Sequence, residues 1–272
     1  MSLPRIGVFD SGVGGLTVLR ALANHQPAHY LYFGDTARLP YGTKSAETVA
    51  RYAIGAARFL ETQGIDLLVI ACNSATALAL PQITESVRVP VVGVVEPGAA
   101  MASQVSKARA AIVIATEATV SSHAYREALQ RFGMEAHEKA CPLLVPLVEE
   151  GWIDHSVTEQ VALIYLEEAL SASSGNADVL VLACTHYPLL APLLRRITPD
   201  HIQIVDSAES TAQAVKGMLP SLAVSASDEG VGKLDHRTFS FFVTDSVEKF
   251  KRLAARFLGR QVDRVEHVDL GG

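Results

Sequence analysis

Short apolar runs recur along this chain, and each is followed by a longer segment of mixed polarity. The runs are rich in Val, Ile and Leu and continuous rather than alternating, which is typical of strands buried on both faces of a parallel sheet. Alternation of such strands with segments of helical periodicity predicts an α/β fold with right-handed crossovers. The predicted strands are residues 6–9, 30–33, 67–71, 91–95, 111–115, 179–183, 202–205 and 239–243, and the predicted helices include 45–63, 125–132, 158–172 and 246–258.

Length and composition exclude several classes of protein. The chain has 272 residues, a formal net charge of −6 and no cluster of Lys and Arg, so we expect no nucleic-acid partner. No apolar run approaches the roughly 20 residues of a membrane helix, and the N-terminus lacks the pattern of a signal peptide. Three cysteines are an odd number, which fits a reducing cytosol better than a disulfide framework. We therefore expect a cytoplasmic protein that handles a small molecule, with a surface loop at residues 221–232.

A weak internal repeat indicates two similar halves. Residues 66–72 read DLLVIAC and residues 178–184 read DVLVLAC. Two further pairs of segments are weaker, and chance alone could explain their similarity. Any α/β chain also contains several buried strands that end in polar residues. Taken together, the three pairs predict two pseudo-symmetric, doubly wound parallel-sheet domains that face one another across a cleft. The weaker pairs are residues 8–11 with 112–116 and residues 94–96 with 204–206.

Two of the three cysteines end the repeated strands. Cys72 and Cys184 each follow a buried run at the point where the chain turns towards a helix, and ligands of open α/β sheets bind at such strand ends. A helix N-terminus is expected to lower the pKa of a cysteine below about 8.5 and to bind a carboxylate. His186 is close enough in sequence to hold or donate a proton. A single free cysteine is more often packing, as we predict for Cys141, but two at matching positions favour a functional role.

Other segments carry weaker signals. The candidate ligands Cys72, Cys184 and His186 lie in no CxxC or HxxxH spacing, so we expect no metal. Asp10 ends the first strand before a glycine-rich turn that completes neither a dinucleotide fingerprint nor a phosphate loop, and it could tune an acid or base, meet an ammonium group, or cap a helix. Thr116 and Thr119 could bind a carboxylate or cap a helix. Glu149 is interpreted as either a site carboxylate or a solvated charge.

Taken in order, these segments resemble the glutamate racemase family of cofactor-independent, two-cysteine amino-acid racemases. The segments DSGVGG, GDTARLPYG and CTHYPLL are the most specific, and the resemblance runs from residue 6 to about residue 212. It implies a homodimer that interconverts L- and D-glutamate without a cofactor and supplies D-glutamate for peptidoglycan. It also implies that the C-terminal segment returns to the first domain, which gives domains of residues 1–96 plus 207–272 and residues 97–206.

The resemblance further implies roles for individual residues. Cys72 would act on the D-isomer and Cys184 on the L-isomer, one as thiolate and the other as thiol, with Asp10 and His186 assisting them. Asp35 and Glu149 match acidic positions linked to activity. The positions matched to substrate binding are Asp10, Ser11, Pro40, Tyr41, Gly42, Asn73, Ser74, Thr116, Thr119, Thr185 and His186.

Alternative functions remain open at the level of sequence. A racemase of aspartate or another small acidic amino acid would need the same two cysteines. A two-domain binding module would need neither, and a cysteine hydrolase would need one. No lysine lies in the matching segments, so a pyridoxal phosphate Schiff base is not expected. Family members with a long N-terminal extension can depend on a cell-wall precursor, and the short segment before Asp10 leads us to expect activity without one.

Overall fold

The computed structural model describes residues 3–219 and 239–271, and within them the strands form two sheets. The strands are β1 (Arg5–Asp10), β2 (His29–Gly34), β3 (Leu67–Ile70), β4 (Val91–Gly93), β5 (Ala110–Ala115), β6 (Glu135–Ala140), β7 (Val179–Ala183), β8 (Gln203–Asp206), β9 (Phe239–Val243) and β10 (Glu266–His267). The helices are α1 (Leu16–His25), α2 (Ala46–Thr62), α3 (Asn73–Ser86), α4 (Val95–Val105), α5 (Glu117–Ser122), α6 (Ala124–Arg131), α7 (Leu144–Glu150), α8 (Ser156–Ala172), α9 (Ala191–Ile197), α10 (Ser207–Met218) and α11 (Val247–Leu258). Single 3₁₀ turns cover Tyr41–Thr43 and Tyr187–Leu190.

Both sheets are parallel, and their strand orders match. The larger sheet has the order β10-β9-β2-β1-β3-β4, and the smaller has the order β6-β5-β7-β8. Every strand pair in either sheet is parallel. The four strands β2-β1-β3-β4 therefore correspond to β6-β5-β7-β8. The three sequence pairs fall at β3 and β7, at β1 and β5, and at the ends of β4 and β8, so the predicted pair of pseudo-symmetric α/β units is confirmed.

Helices cover both faces of the larger sheet, which explains the continuous apolar runs of its strands. On one face, Phe9 and Ile70 pack with Ala53 and Leu60 of α2. On the other face, Val8 belongs to a core that includes residues of α1 and α11. A strand covered on both sides can place no polar residue in its middle without desolvating it, so its sequence stays apolar throughout. The smaller sheet shows the same pattern, because β5 and β7 are buried along their whole length.

Strand β6 was not predicted, because its sequence has no apolar signature. It reads EAHEKA, is only half-buried, and pairs with β5 alone among the described strands. An edge strand exposes one side to water, and charged residues there discourage pairing with other chains. The eight predicted strands and the four predicted helices are all present, with ends shifted by up to a few residues.

The C-terminal segment returns to the larger sheet, because β9 pairs with β2 and β10 pairs with β9. The domain boundaries near residues 96 and 206 remain a proposal. The predicted loop at residues 221–232 lies outside the described residues. Within residues 3–219 and 239–271, no helix has both the length and the apolarity that a membrane span needs.

Candidate active site

The two sheets point the carboxyl ends of corresponding strands at one cavity of about 370 Å³. Residues that directly follow β1, β3, β5 and β7 line it, which is the usual ligand position in α/β folds. Three of the predicted site residues, Asp10, Asp35 and Thr119, do not line the cavity but contact residues that do. The predicted residues that line it are Ser11, Pro40, Tyr41, Gly42, Cys72, Asn73, Ser74, Thr116, Glu149, Cys184, Thr185 and His186.

Cys72 is the N-cap of α3 and is held as a thiol. Its Sγ accepts the backbone N–H of Ala75 at 3.4 Å, and the thiol donates to Ser11 Oγ at 3.4 Å. Burial, together with the nearby charge of Asp10, raises the pKa of Cys72 to about 12, although these hydrogen bonds oppose the rise. The expectation that a helix N-terminus lowers the pKa is therefore wrong for this cysteine, because desolvation of the thiolate outweighs the helix end.

Asp10 is buried beneath the turn that carries Ser11. Its Oδ2 accepts the backbone N–H of Gly12 at 2.9 Å, while Oδ1 is buried without a hydrogen-bond partner among the described residues. Burial raises the pKa of Asp10, against the lowering effects of backbone hydrogen bonds and of His186. A Cβ at Gly15 would lie 2.5 Å from the Asp10 Cβ, so this glycine permits the close packing around the carboxyl group.

Cys184 has a different neighbourhood, built around an imidazole. His186 Nδ1 lies 4.0 Å from Cys184 Sγ, and His186 Nε2 lies 3.2 Å from Glu149 Oε1. Lys249 Nζ lies 3.7 Å from the other carboxylate oxygen of Glu149. The ring of His186 therefore joins the thiol of one residue to the carboxylate of another. Glu149 therefore lines the cavity and contacts His186, and its role as a site carboxylate stays a prediction.

The electrostatics of this second group favour a charged imidazole. Burial by itself would lower the pKa of His186, but the hydrogen bonds to Cys184 and Glu149 and their negative charges outweigh it and raise the pKa to about 10. The same hydrogen bond with His186 lowers the pKa of Glu149, with a further contribution from Lys249 and against a smaller effect of burial. His186 is therefore an imidazolium and Glu149 a carboxylate at neutral pH.

A cluster of hydroxyl and amide groups joins the two halves along the cavity. Ser74 Oγ lies 2.9 Å from Thr116 Oγ1 and 3.3 Å from Thr119 Oγ1. Thr116 also caps α5, so the capping interpretation is confirmed, and carboxylate binding by Thr116 stays a prediction. Tyr125 donates its hydroxyl to Asn73 Oδ1 at 2.7 Å, and Asn73 Nδ2 is buried without a hydrogen-bond partner among the described residues. That amide is a donor fixed in orientation and available to a bound anion.

The Pro40-Tyr41-Gly42 turn forms another wall of the cavity. The Tyr41 hydroxyl donates to Asp35 Oδ2 at 2.6 Å, and burial raises the pKa of Tyr41, helped by the charge of Asp35. Asp35 is buried, also accepts the Thr244 hydroxyl at 2.8 Å and lies 3.5 Å from Arg38, and it contacts the cavity lining through Tyr41.

Two glycines allow the larger-sheet half to approach the smaller-sheet half closely. A Cβ at Gly14 would lie 2.3 Å from Thr185 Oγ1, and a Cβ at Gly42 would lie 3.0 Å from the Thr116 Cβ. Thr17 donates its hydroxyl to the Thr185 carbonyl at 2.8 Å, which fixes the contact at Gly14. The DSGVGG segment is thus a surface of contact between the halves as well as a turn.

Sequence reasoning missed an apolar wall of the cavity. Pro142, Val145 and Pro146 line it, directly after Cys141, which is buried and does not line it. No sequence pattern separates such a wall from ordinary core. The remaining lining residues that were not predicted are Gly12, Val13, Leu39, Thr43 and Glu117. Within residues 3–219 and 239–271, no group of three or more His, Cys, Asp and Glu side chains is arranged to hold a metal ion.

Comparison with known proteins shows likeness over nearly the whole chain. The family model described as Asp/Glu/Hydantoin racemase matches residues 11–215. A curated relative named glutamate racemase, from Koribacter versatilis (strain Ellin345), is 59% identical over 99% of this chain and 98% of its own.

Two solved structures extend this likeness to three dimensions. Glutamate racemase isoform RacE1 from Bacillus anthracis has a TM-score of 0.89 at 35% identity and covers 98% of both chains. Glutamate racemase from Francisella tularensis subsp. tularensis SCHU S4, solved in complex with D-glutamate, has a TM-score of 0.87 at 31% identity and covers 99% of both chains. The likeness therefore includes both parallel sheets.

Proposed function

This chain belongs to the Asp/Glu/hydantoin racemase family, and from that premise we propose that it interconverts L- and D-glutamate with two cysteine bases and no cofactor. One observation carries the proposal. Cys72 and Cys184 end corresponding strands of two similar sheets, and both line the same cavity. Racemisation needs one group to remove the α-proton and another to supply a proton to the opposite face, and a pseudo-symmetric pair of thiols provides both. The choice of glutamate follows the relatives of known name.

The two cysteines have different charged neighbours. Burial and Asp10 keep Cys72 as a thiol. At the other cysteine, the imidazolium of His186 lies 4.0 Å from Cys184 Sγ, and a positive charge interacts favourably with a negative charge that forms beside it. We assign Cys184 as the base towards L-glutamate, whose α-proton it would take, as the family resemblance implies.

The chemical step then balances within the site. The Cys184 thiolate takes the α-proton of L-glutamate, and the electron pair of the broken C–H bond moves into the α-carboxylate. The Cys72 thiol delivers its proton to the opposite face of the α-carbon, which gives D-glutamate. The protein is left with a thiol at Cys184 and a thiolate at Cys72, which is the state that removes the α-proton of D-glutamate.

Donors around the cavity lower the energy of the charge that builds up on the carboxylate. The side-chain amide of Asn73 is held at Oδ1 by the hydroxyl of Tyr125, and its Nδ2 has no hydrogen-bond partner among the described residues. The hydroxyls of Ser74, Thr116 and Thr185 also line the cavity. Donors fixed before the substrate binds need no reorganisation as charge develops, so they favour the transition state.

Three further parts of the proposal rest on the family resemblance. The D-glutamate product would supply peptidoglycan synthesis. The protein would act in the cytoplasm, where both thiols stay reduced, and it would form a homodimer. None of these affects the chemistry of a single cavity.

A hydrogen-exchange experiment tests the substrate and the type of reaction together. The protein is incubated in deuterium oxide with L-glutamate, L-aspartate or another L-amino acid, and loss of the α-proton is followed by NMR while chirality is followed by polarimetry. We expect L-glutamate to exchange and racemise, and L-aspartate to do so at a much lower rate. Exchange of L-aspartate alone would replace the glutamate assignment by an aspartate one. Tight binding of glutamate with no exchange would identify a binding module.

A further inference from the structure

Helix α11 directs three side chains at the Glu149–His186 pair. Lys249 lies 3.7 Å from Glu149, and Arg256 donates hydrogen bonds to the backbone beside it. The ring of Phe257 meets the ring of His186 edge-on, with 5.1 Å between the centroids. Residues 249, 256 and 257 are spaced i, i+7 and i+8, so they lie on one face of the helix.

Arg256 holds the end of helix α7, which carries Glu149. Its Nη1 donates to the carbonyl of Val148 at 3.1 Å and to the carbonyl of Glu149 at 2.8 Å. The last carbonyls of a helix have no partner within it, and a cation is favourable at that end. Gly151, the first residue after α7, has a φ of +87°. A Cβ at this position would lie 2.5 Å from Arg256 Nη2, so glycine leaves the space that the guanidinium occupies.

Helix α11 belongs to the half of the molecule opposite to Cys184. Its Phe250 packs against Tyr32 and Phe241 of the larger sheet, with ring centroids 5.8 and 6.1 Å apart. Cys184 and His186 follow β7 of the smaller sheet. Cys72, in contrast, meets Asp10 and Ser11 of its own sheet.

We infer that α11 positions the Glu149–His186 pair across the boundary between the halves, with Arg256 as the positioning residue. Cys184 can act as base only when the two halves are together, because the larger-sheet half sets the carboxylate that orients its imidazole. The part of the inference that concerns catalysis rests on the proposed function, and the structural part does not.

The test uses Arg256→Met, which keeps the apolar stem and removes the donors, and Arg256→Lys, which keeps the charge but cannot reach both carbonyls. Lys251→Met, on the same helix, is the control for loss of one positive charge, because Lys251 pairs with Glu248 and not with Glu149. Each variant is checked for folding by circular dichroism. The rates are then measured with L- and D-glutamate, each carrying hydrogen or deuterium at the α-carbon, and the ring of His186 is titrated by NMR.

In Arg256→Met we expect kcat/KM to fall by about tenfold, as for a catalytic group moved from its working position. The fall must be equal in both directions, because a catalyst does not change the equilibrium. The deuterium isotope effect should rise for L-glutamate, whose proton goes to Cys184, and fall for D-glutamate, whose proton goes to Cys72. Arg256→Lys should show the same changes to a smaller extent, and Lys251→Met should show none.

The titration of His186 gives a readout that does not depend on activity. The titratable and charged groups around this ring are Cys184, Glu149 and Asp10, with Lys249 and Arg256 behind Glu149. Loss of a cation alone would raise the pKa of His186, whereas loss of a correctly placed Glu149 lowers it below about 10. We expect the pKa to fall in Arg256→Met.

Three results would overturn the inference. They are an unchanged or raised pKa of His186 in a folded Arg256→Met variant, isotope effects that change equally for the two isomers, and wild-type kinetics. If Arg256→Met does not fold, unchanged isotope effects and an unchanged His186 pKa in Arg256→Lys would also overturn it. A wild-type protein that does not racemise glutamate would instead refute the proposed function, and the titration would still decide the structural role of Arg256.

Discussion

The two cysteines occupy the same place in two matching sheets, yet their surroundings have opposite electrostatic effects. Around Cys72, burial and the Asp10 carboxyl disfavour a negative charge on sulfur. Next to Cys184, the His186 imidazolium favours one, and Glu149 holds that imidazolium in its charged form. A symmetric scaffold thus carries different charges around its two cysteines. Racemisation requires this, because one face of the α-carbon must meet a base while the other meets an acid.

The two halves also differ in how they are built. Asp10 ends β1 and Ser11 follows it. Strand β1 pairs with β3, the strand that precedes Cys72 in the same sheet. The imidazole beside Cys184 depends on Glu149 from α7 and on α11 from the opposite half. The environment of Cys72 is therefore local, whereas that of Cys184 is completed across the cleft. Variants can separate the two.

The largest expected effects come from the cysteines themselves. Cys72→Ser and Cys184→Ser should each reduce racemisation by about 10³-fold or more, because a hydroxyl is a poor substitute for a thiolate base. Each variant should keep slow α-proton exchange with one isomer, L-glutamate for Cys72→Ser and D-glutamate for Cys184→Ser. Racemisation and exchange in deuterium oxide measure both effects.

Cys141→Ala is the control, because this cysteine is buried and does not line the cavity. It should racemise glutamate at close to the wild-type rate. If only one of the two site cysteines proved necessary, as in a cysteine hydrolase, the comparison between the halves would lose its basis.

Glu149→Gln tests the charged pair next to Cys184 through stability. The pKa of His186 is raised, so the pair contributes stability that is full below the ordinary histidine pKa and is lost as pH rises through about 10. The lowered pKa of Glu149 means that stability is also lost as pH falls through that lowered value. We expect a free energy of unfolding lower by about 2 kcal/mol near pH 6, with the difference shrinking towards higher pH.

Urea unfolding across this pH range measures the difference, and Glu150→Gln is the matched control on the same helix. Glu150 is exposed, and its substitution should change stability by less than about 0.5 kcal/mol at any pH. A Glu149→Gln deficit that stays constant from acid to alkaline pH would mean that the pair is not charged as described.

Tyr125→Phe is expected to have the smallest effect, and it should be equal for both isomers. It removes the hydrogen bond to Asn73 Oδ1, which is worth about 1 kcal/mol. That corresponds to a rise of about fivefold in KM. Steady-state kinetics and isotope effects for both isomers measure it, and Tyr165→Phe on α8 is the control. An isotope effect altered for only one isomer would place Asn73 on one side of the reaction and contradict its role as a shared carboxylate donor.

The features that the sequence predicted well depend on local pattern. Strands such as β3 and β7 are apolar because they are covered on both faces. The carboxyl ends of these strands face the cavity, so the cysteines that follow them line it. Strand β6 escaped prediction because an edge strand exposed on one side needs no apolar run.

The features that the sequence did not predict depend on distant contacts. The raised pKa of Cys72 comes from burial and from Asp10, neither of which follows from its position at a helix N-terminus. Arg256 lies more than 100 residues from Glu149 along the chain, and no motif connects them. Tyr125 holds the side chain of Asn73 in place from α6. The sequence predicts this helix but not its contact with Asn73.

The most direct test of two opposed bases is the deuterium content of each glutamate isomer early in the reaction. L-glutamate is racemised in deuterium oxide to a few per cent conversion, the isomers are separated, and the α-carbon of each is analysed by mass spectrometry. We predict deuterium in nearly every molecule of D-glutamate, because its α-proton comes from the Cys72 thiol after exchange with solvent, and almost none in the remaining L-glutamate. D-glutamate that retained the original α-hydrogen would show that a single base serves both faces, and it would contradict the account.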